Sequence, residues 1–559
     1  YNKALSIKPD YAEAYNNIGN ALQEQGKQEQ AMEAYNKALS IKPDYAFAHN
    51  NMGLALQEKG KLGEAVDAYN KALSINPDFD LAWNNLYFPL QAIKFQKKSV
   101  QNPKALYPKK INSNYGKIKK SILDYRLHRG QESKGAYLVK AIKSLSSAEN
   151  IIIKNQKFEN NTNKKMQPLP DKMVTLVHFG RSGSGLMHSL IDGHPEVSTL
   201  PSIYFTEYFD HSTWVKITSD GWDGMIDRFI SIYDVLFDAS SSVPIETKSK
   251  KLLKNIGIKD GMANVGDQKN EILKVNKDLF KTELKRLMAL SKELDALVFF
   301  KLVHRAYDKA LDDLNYKSVI FYHIHNPDTY ARLNFTRLNP NANWLVMVRE
   351  PIQSCESWIR GALREKDYLA VASRIITMLF EIDNSVYGKK NTIGVRLEDL
   401  KINPKKTIPA LCKWMGIDEK EQLYEMTAQG KKWWGDADSP DYEKDGQEPF
   451  GKTSIERKVG SIFSENDQFI LRTLFYPFST RFGYREENEE QFKNDLQKIR
   501  PMIDKMFDFE KKIADRMQTS YKELSDSGSY LYLRSSLIER WNTLSEFQTY
   551  PDMIVPLKI

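Results

Sequence analysis

The sequence predicts an α/β domain, with a parallel sheet flanked by helices, preceded by an all-α repeat solenoid. A six-residue motif recurs near the N-terminus with a period of 34 residues, a spacing typical of stacked helical pairs. Further along, short apolar runs rich in β-branched and aromatic residues alternate with longer stretches of helical periodicity, as in β–α–β units. With 559 residues, the chain is long enough for several domains.

The N-terminal repeat is clearest in the hexapeptide YNKALS, which occurs at residues 1–6, 35–40 and 69–74. A proline recurs at the same interval and ends a helix, because proline has no N–H to donate. The pattern resembles the tetratricopeptide repeat (TPR), which implies a concave surface that binds a peptide or protein partner. A spacer or a self-association module is the alternative. Because stable stacks usually contain three or more units, we expect the natural chain to begin before residue 1.

Composition limits the class of protein. No run of eighteen apolar residues occurs in the sequence, so no membrane-spanning helix is predicted. The two cysteines, Cys355 and Cys412, are too few for a disulfide scaffold or a cysteine-based zinc site. They favour a reducing, cytoplasmic compartment, unless a signal or anchor precedes residue 1.

Residues 88–170 are strongly basic, with 18 Lys and Arg against 4 Asp and Glu, a net charge of +14. We interpret this segment as a basic helical linker. A contact with a membrane surface or an acidic substrate is the alternative reading. No nucleic-acid-binding motif accompanies the charge, so we expect no nucleic-acid partner.

A strand, a tight glycine turn and a helix are predicted over residues 173–197. Val174–Val177 is apolar, the turn reads GRSGSG over residues 180–185, and apolar residues at helical spacing follow from Leu186. Such a turn directs backbone N–H groups and the positive end of a helix at one point, which suits an anion. The Lys and the Mg²⁺ ligand of a nucleotide-hydrolysing P-loop are missing. A kinase or another P-loop phosphotransferase is therefore disfavoured.

This turn resembles the 5′-phosphosulfate loop of sulfotransferases. Its continuation through Leu186-Met187, Asp192 and His194-Pro195 resembles the tyrosylprotein branch of that family. The resemblance implies transfer of a sulfuryl group from 3′-phosphoadenosine 5′-phosphosulfate (PAPS) to an acceptor hydroxyl or amine, without a metal. It also implies that the turn binds the donor through Arg181, Ser182, Gly183, Ser184 and Gly185. Among these, Arg181 is implied to stabilise charge on the bridging oxygen.

A second motif, over residues 346–360, places Arg349 at the end of a predicted strand and Ser357 eight residues later. Pro351 is expected to end the strand and begin a helix. An arginine fork fits a phosphate bidentately. The motif resembles the 3′-phosphate site of sulfotransferases, which implies that Arg349 and Ser357 bind that phosphate. Taken alone, the motif also fits an Arg–Glu ion pair and a capping serine.

A third motif, over residues 455–467, resembles the loop that closes on the same phosphate in cytosolic sulfotransferases. The resemblance implies that Arg457 and Lys458 contact the donor. Val459 replaces a glycine of that pattern, and a basic surface loop is the competing interpretation. A helix is predicted to begin near Ser464.

The sequence does not identify the general base that would take the proton of the acceptor. Histidine titrates near neutral pH and suits the role. Resemblance to cytosolic sulfotransferases implies His325, whereas the tyrosylprotein branch uses a Glu, for which Glu207 is the nearest carboxylate. His304 is a further candidate. A different class of function also stays open, a non-catalytic TPR scaffold with a degenerate nucleotide-binding fold.

We therefore predict four segments: TPR repeats over 1–87, the basic linker over 88–170, a P-loop-like sulfotransferase domain over 171–485 and a helical extension over 486–559. In the third segment, strands are predicted at 297–303, 318–324, 344–348 and 392–396, and helices at 273–289, 329–338 and 368–387.

Trp433 and Trp434 either contact the acceptor or belong to the core. Apolar spacing over 487–516 indicates an amphipathic helix or helical pair, suited to packing or to a homodimer contact. Ligands of parallel sheets bind beyond the carboxyl ends of strands, and we expect Arg181 and Arg349 both to lie at such ends.

Overall fold

The structure, a computed structural model, describes residues 1–94, 108, 111–128, 134–148, 151–158, 167–201, 208–240, 264–324, 329–381, 383–435, 448–452, 455–456, 458–546 and 554–559. The chain forms two compact units, each made of three segments. The first unit contains residues 1–148, 351–385 and 459–551, and the second contains 149–350, 386–458 and 552–559. These units cut across the four predicted segments, whose boundaries stay predictions.

In the described part of the first unit, the regular secondary structure is helical. Its helices are Asn2–Ile7, Ala12–Glu24, Gln28–Ile41, Ala46–Glu58, Leu62–Ile75, Asp80–Ile93, Asn114–Leu127, Lys134–Ala148, Pro351–Arg364, Tyr368–Glu381, Glu465–Leu474, Tyr476–Arg481, Glu489–Ile503, Asp508–Met517, Tyr521–Asp526 and Gly528–Glu546. The predicted helical pair over 487–516 is present as Glu489–Ile503 and Asp508–Met517. The helix expected near Ser464 begins there, because Ser464 and Asp467 form a reciprocal capping box.

The 34-residue period reflects contacts that recur within and between the helical pairs. Gly53 lies against the ring of Tyr69, and a Cβ added to Gly53 would be 2.6 Å from that ring. Asparagines then join successive repeats, since Asn51 Nδ2 donates to Asn16 Oδ1 over 2.9 Å and Asn85 Nδ2 to Asn50 Oδ1 over 3.0 Å. The repeated glycine and asparagine positions are therefore contacts within and between helical pairs.

The predicted C-terminal extension covers the last helix of the repeat stack. Glu539 accepts hydrogen bonds from Gln91 Nε2 over 2.6 Å and from Lys94 Nζ over 2.7 Å. Tyr532 packs on Phe88 with ring centroids 4.4 Å apart. A repeat stack leaves an apolar face at its end, and the helix Gly528–Glu546 buries that face.

The second unit is built on a six-stranded sheet. Its strands are β1 (Lys172–His178), β2 (Val197–Thr199), β3 (Val319–His323), β4 (Asn343–Val348), β5 (Thr392–Arg396) and β6 (Val555–Pro556). The spatial order is β6-β5-β4-β1-β3-β2, and all five pairings are parallel. The predicted parallel sheet is thus confirmed, and β1 and β4 are buried along most of their length.

Helices and short strands complete the second unit. The helices are Ser184–Ile191, His211–Thr218, Met225–Ile232, Lys277–Ala289, Ala296–Ala310, Thr329–Leu338, Leu397–Ile402 and Pro404–Met415, with 3₁₀ turns at Asp234–Leu236, Lys389–Asn391 and Glu421–Tyr424. Two antiparallel pairs join Ile153–Lys154 to Glu293–Leu294 and Thr427–Ala428 to Lys431–Lys432. The helix predicted over 329–338 has those bounds, whereas those predicted over 273–289 and 368–387 are shorter.

One predicted strand is wrong. Residues 297–303 lie within the helix Ala296–Ala310, which the side chain of Asp295 caps by accepting from the Val298 N–H. A short, mainly apolar run fits a buried helix as well as a buried strand. Here the apolar spacing continues through Ala306 and Tyr307, both buried, so the segment has helical length.

Candidate anion-binding site

The glycine turn and Arg349 meet where the order of the sheet reverses. From β1 the chain continues through β2 and β3 on one side, whereas β4, β5 and β6 lie on the other. β1 and β4 are neighbours, with His178 opposite Met347 near their carboxyl ends. Ligands of parallel sheets bind at such a point, because the connections leave a crevice there.

The turn after β1 needs glycine at residue 183. Gly183 has φ of 85°, a left-handed conformation that other residues adopt only at a cost. A Cβ at Gly183 would also be 2.6 Å from Leu397 Cδ1. Ser182, which is buried, donates from Oγ to the carbonyl oxygen of Met347 over 2.8 Å. These contacts fix the turn on the end of β4.

The turn presents a run of backbone donors. The helix begins at Ser184, and the first N–H that finds a backbone acceptor is that of Met187, which donates to Gly183 over 3.0 Å. Among the described residues, the N–H groups from Gly180 to Leu186 have no acceptor. Donors of this kind at a helix N-terminus favour an anion.

Arg349 adds a guanidinium to this turn. The residue follows β4 directly and is 5% exposed. Its Nη1 donates to the carbonyl oxygen of Arg181 over 3.3 Å. Arg181 itself is exposed. Both arginines therefore lie at the carboxyl edge of the sheet, as expected, and the structure adds the contact between them.

The start of the helix Leu397–Ile402 supports both motifs. Leu397 lies against Gly183, and Glu398 Oε1 accepts from the Glu350 N–H over 3.1 Å. Sequence reasoning gave neither residue a role in this site, because no local pattern links either of them to its distant partner.

Three histidines lie beside the turn. The ring of His323, at the end of β3, is 6.2 Å from that of His178 and 5.9 Å from that of His188. Burial lowers the pKa of both His178 and His188. The Nδ1–H of His178 donates to the Gly180 carbonyl oxygen over 2.7 Å. Sequence reasoning did not single out His178 or His188, although His178 stands two residues before the glycine turn.

The candidate bases have different outcomes. His325, Glu207 and also Arg457 lie outside the described residues, so their roles stay predictions. His304 does not suit the role of base at the turn. Its side chain is 1% exposed, and burial lowers its pKa to about 3. His304 also lines a cavity with Pro170 and Lys317, residues that precede β1 and β3. It is therefore at the amino edge of the sheet, away from the glycine turn.

The second and third motifs are joined within the first unit by Glu356. Its carboxylate accepts from the N–H groups of Gly460, Ile462 and Phe463 over 3.1, 3.1 and 2.9 Å. Ser357 follows Glu356 on the helix Pro351–Arg364, which begins at the predicted proline. Sequence reasoning missed Glu356, the residue that fixes the loop after Lys458.

Binding of one phosphate by Arg349, Ser357 and Lys458 stays a prediction. Ser357 belongs to the first unit, whereas Arg349 and Lys458 belong to the second.

The two tryptophans have structural roles. Trp433 is buried, and its strand bridge to Val265 places it in the core. Trp434 donates from Nε1 to the Gly266 carbonyl oxygen over 2.7 Å, and Lys432 Nζ lies 3.7 Å from its ring centroid. Of the two readings, the structure supports packing.

The described residues show neither a clustered set of metal ligands nor a membrane-spanning helix. Within the part of the chain that the structure describes, no group of three or more His, Cys, Asp and Glu is placed to hold a metal ion. No helix of that part is long and apolar enough to cross a bilayer.

Comparisons with known proteins identify the repeats. Residues 1–26 and 19–60 match a model described as "TPR repeat", and residues 46–79 match the tetratricopeptide repeat model. The predicted TPR array is therefore confirmed. No curated protein matches the chain. Among solved structures, the sulfotransferase domain of the Synechococcus PCC 7002 olefin synthase aligns with 57% of this chain and 98% of that domain, at 13% identity and a TM-score of 0.31.

The chain therefore combines TPR repeats with a parallel α/β unit in which a glycine turn follows β1.

Proposed function

We propose that this protein is a sulfotransferase that uses PAPS as donor, and that its TPR repeats bind the acceptor or another protein partner. One observation carries the proposal. The free N–H groups of the Gly180–Leu186 turn and the guanidinium of Arg349 meet at the switch point of a parallel sheet. The N–H groups and the guanidinium would together suit more than one phosphate-like group.

The residues of the turn have chemistry that fits this donor. Bound PAPS would supply the sulfuryl group, which passes from a phosphate oxygen to the acceptor oxygen or nitrogen. The N–H groups of the turn would orient the 5′-phosphosulfate, and Arg181 would balance the charge on the leaving phosphate. Arg349 would hold the 3′-phosphate, with Ser357, Arg457 and Lys458 as further contacts. A base, His325 or Glu207, would take the acceptor proton.

A hydrolysing P-loop is a poorer fit to the same geometry. In such a loop a Lys reaches the outer phosphates and a Ser or Thr binds Mg²⁺. Here the helix positions after Gly185 are Leu186 and Met187, both buried. Their side chains offer neither a cation nor a hydroxyl to a nucleotide.

The repeats offer a surface for a protein partner, as TPR arrays generally do. Phe47 and Leu81 occupy equivalent positions in successive repeats, and both are exposed. Exposed apolar side chains in register along a repeat stack suit a bound peptide.

Calorimetry with adenosine 3′,5′-bisphosphate, the desulfo product, tests the donor site. We expect micromolar binding without Mg²⁺, much weaker binding of ATP, and at least about a tenfold loss of bisphosphate affinity in Arg349→Ala, since a charge-assisted hydrogen bond is lost. Arg472→Ala is the matched control, because Arg472 is exposed on another helix. No bisphosphate binding, or equal loss in both variants, would contradict the proposal.

An assay of sulfuryl transfer distinguishes a sulfotransferase from a non-catalytic TPR scaffold. Radiolabelled PAPS incubated with the protein and pools of peptides, glycans, lipids and small metabolites should yield a labelled acceptor. His325 and Glu207 variants would then assign the base. Bisphosphate binding with no labelled acceptor in any pool would favour the non-catalytic TPR scaffold instead.

A further inference from the structure

A cavity lies in the α/β unit, at the edge of the sheet opposite the glycine turn. It has a volume of about 410 Å³. Pro170, which precedes β1, and Lys317, which precedes β3, line it together with residues of the helices Lys277–Ala289 and Ala296–Ala310. The seven residues of β1 separate this cavity from the turn by roughly 20 Å.

The lining of this cavity is rich in cations. Five Lys and Arg side chains contribute to it: Arg286, Lys301, Arg305, Lys309 and Lys317. Two of them are neutralised locally. Arg286 forms a bidentate pair with Glu283, with distances of 2.8 and 2.6 Å, and Lys317 pairs with Asp313 over 2.5 Å.

The other three cations form no ion pair among the described residues, and the remaining carboxyl of the lining, Asp308, has its pKa raised to about 7 by burial. Arg305 donates to the backbone carbonyl oxygens of Gln167 and Pro168 over 2.7 and 3.0 Å, which satisfies donors without balancing charge. No ion pair within the described part of the chain involves Lys301 or Lys309. Burial lowers the pKa of the Lys301 ammonium, and the opposing attraction of Asp171 and Asp295 is the smaller effect.

Buried polar groups form the inner wall. Ser198 and His304 are each 1% exposed, and Ser198 Oγ is 2.9 Å from His304 Nδ1. His304 Nε2 is buried and has no hydrogen-bond partner among the described residues. Such an atom costs free energy unless a water or a ligand satisfies it. The neutral imidazole can donate or accept at that nitrogen according to its tautomer.

We propose that this cavity binds a small organic anion through a phosphate or carboxylate group. Lys301, Arg305 and Lys309 neutralise the anion. The proposed ligand is distinct from the sulfuryl donor, because the site is at the amino edge of the sheet and shares no residue with the turn.

Calorimetry with three probes, inorganic phosphate, glucose 6-phosphate and citrate, tests this site. We expect at least one probe to bind, and Lys301→Met to weaken its binding about tenfold, the loss of one charge-assisted contact. Lys285→Met is the matched control, because Lys285 is exposed on a neighbouring helix and does not line the cavity. Preference for the phosphate ester over citrate, or the reverse, identifies the ligand class.

Arg349→Ala distinguishes the two anion sites. Probe binding that survives Arg349→Ala but is lost in Lys301→Met supports the cavity. Binding that is lost in Arg349→Ala and kept in Lys301→Met places the anion at the glycine turn and overturns the proposal, as does the absence of binding by any probe. If circular dichroism shows that Lys301→Met is unfolded, Lys309→Met takes its place with the same expected loss.

Discussion

The guanidinium Nη1 of Arg349 donates a hydrogen bond of 3.3 Å to the carbonyl oxygen of Arg181. These residues belong to two motifs separated by 168 positions in the chain. Their contact exists because β1 and β4 pair in parallel with His178 opposite Met347. The candidate site therefore depends on the register of the two central strands as much as on the motifs themselves.

Gly183→Ala should destabilise the protein and weaken bisphosphate binding. The substitution places a Cβ 2.6 Å from Leu397 Cδ1 on a backbone with φ of 85°. We expect a loss of about 1–3 kcal/mol in the free energy of unfolding, measured by urea titration. Gly185→Ala is the control, since a Cβ at Gly185 meets nothing within 4 Å. Equal stability of the two variants would show that the turn is not strained as described.

Glu356→Gln should loosen the loop that follows Lys458. The carboxylate of Glu356 accepts from three backbone N–H groups and from Ser461 Oγ over 3.0 Å. The glutamine carbonyl oxygen can take the place of Oε1, but it lacks the negative charge that the three N–H groups share, and the amide nitrogen cannot accept from Ser461 Oγ. We expect a cost of about 1–3 kcal/mol. Hydrogen exchange of the Gly460 and Phe463 amides measures the loosening.

The exposed residue Glu487 provides the comparison for this variant. Glu487→Gln should leave the Gly460 and Phe463 exchange rates unchanged. Protection at these amides that persists in Glu356→Gln would mean that the loop is held by other contacts.

Glu539→Ala should destabilise the first unit strongly. Glu539 is 3% exposed at its side chain and pairs with Lys94, which is 15% exposed. Removing one partner leaves a largely buried charge, which costs about 3–5 kcal/mol. Glu546→Ala, on the exposed end of the same helix, should change stability little. Thermal unfolding of the two variants checks this, and similar melting temperatures would contradict the role given to the pair.

Asp308→Asn should change how stability depends on pH. Burial raises the pKa of Asp308 from 3.8 to about 7. Between these values the folded state binds more protons than the unfolded state, so stability falls as pH rises, by at most about 1.4 kcal/mol per pH unit. His304 acts in the opposite sense, because its pKa falls from 6.5 to about 3, and its contribution rises with pH over that range.

Asp308→Asn removes the contribution of Asp308 to this pH dependence and keeps that of His304. Relative to the unmodified protein, Asp308→Asn should therefore become more stable between pH 4 and pH 7, as measured by urea unfolding at several pH values. Asp312→Asn, at an exposed position nearby, should show no such trend. A difference in stability that is constant with pH would contradict a buried, protonated Asp308.

Local sequence signals predicted the elements that local interactions stabilise. Proline at 351 starts a helix, and Ser464 caps one, because both effects act within a turn. The run at 297–303 is ambiguous because so short a mainly apolar segment fits either buried element, and only packing decides between them. The position of Arg181 and Arg349 at one edge could be anticipated, because the carboxyl ends of parallel strands share that edge, whereas their contact depends on β1 and β4 being neighbours.

By itself, the sequence determined the TPR array, the parallel sheet and the glycine turn, because period, alternation and glycine conformation are properties of short stretches of chain. Only the tertiary structure decided that Glu356 holds the loop at 460–463, that Leu397 fits against Gly183, and that His304 faces a cavity far from the turn. These contacts join residues far apart in sequence, and buried hydrogen bonds and close packing between such residues depend on strand order and register, which no local pattern specifies.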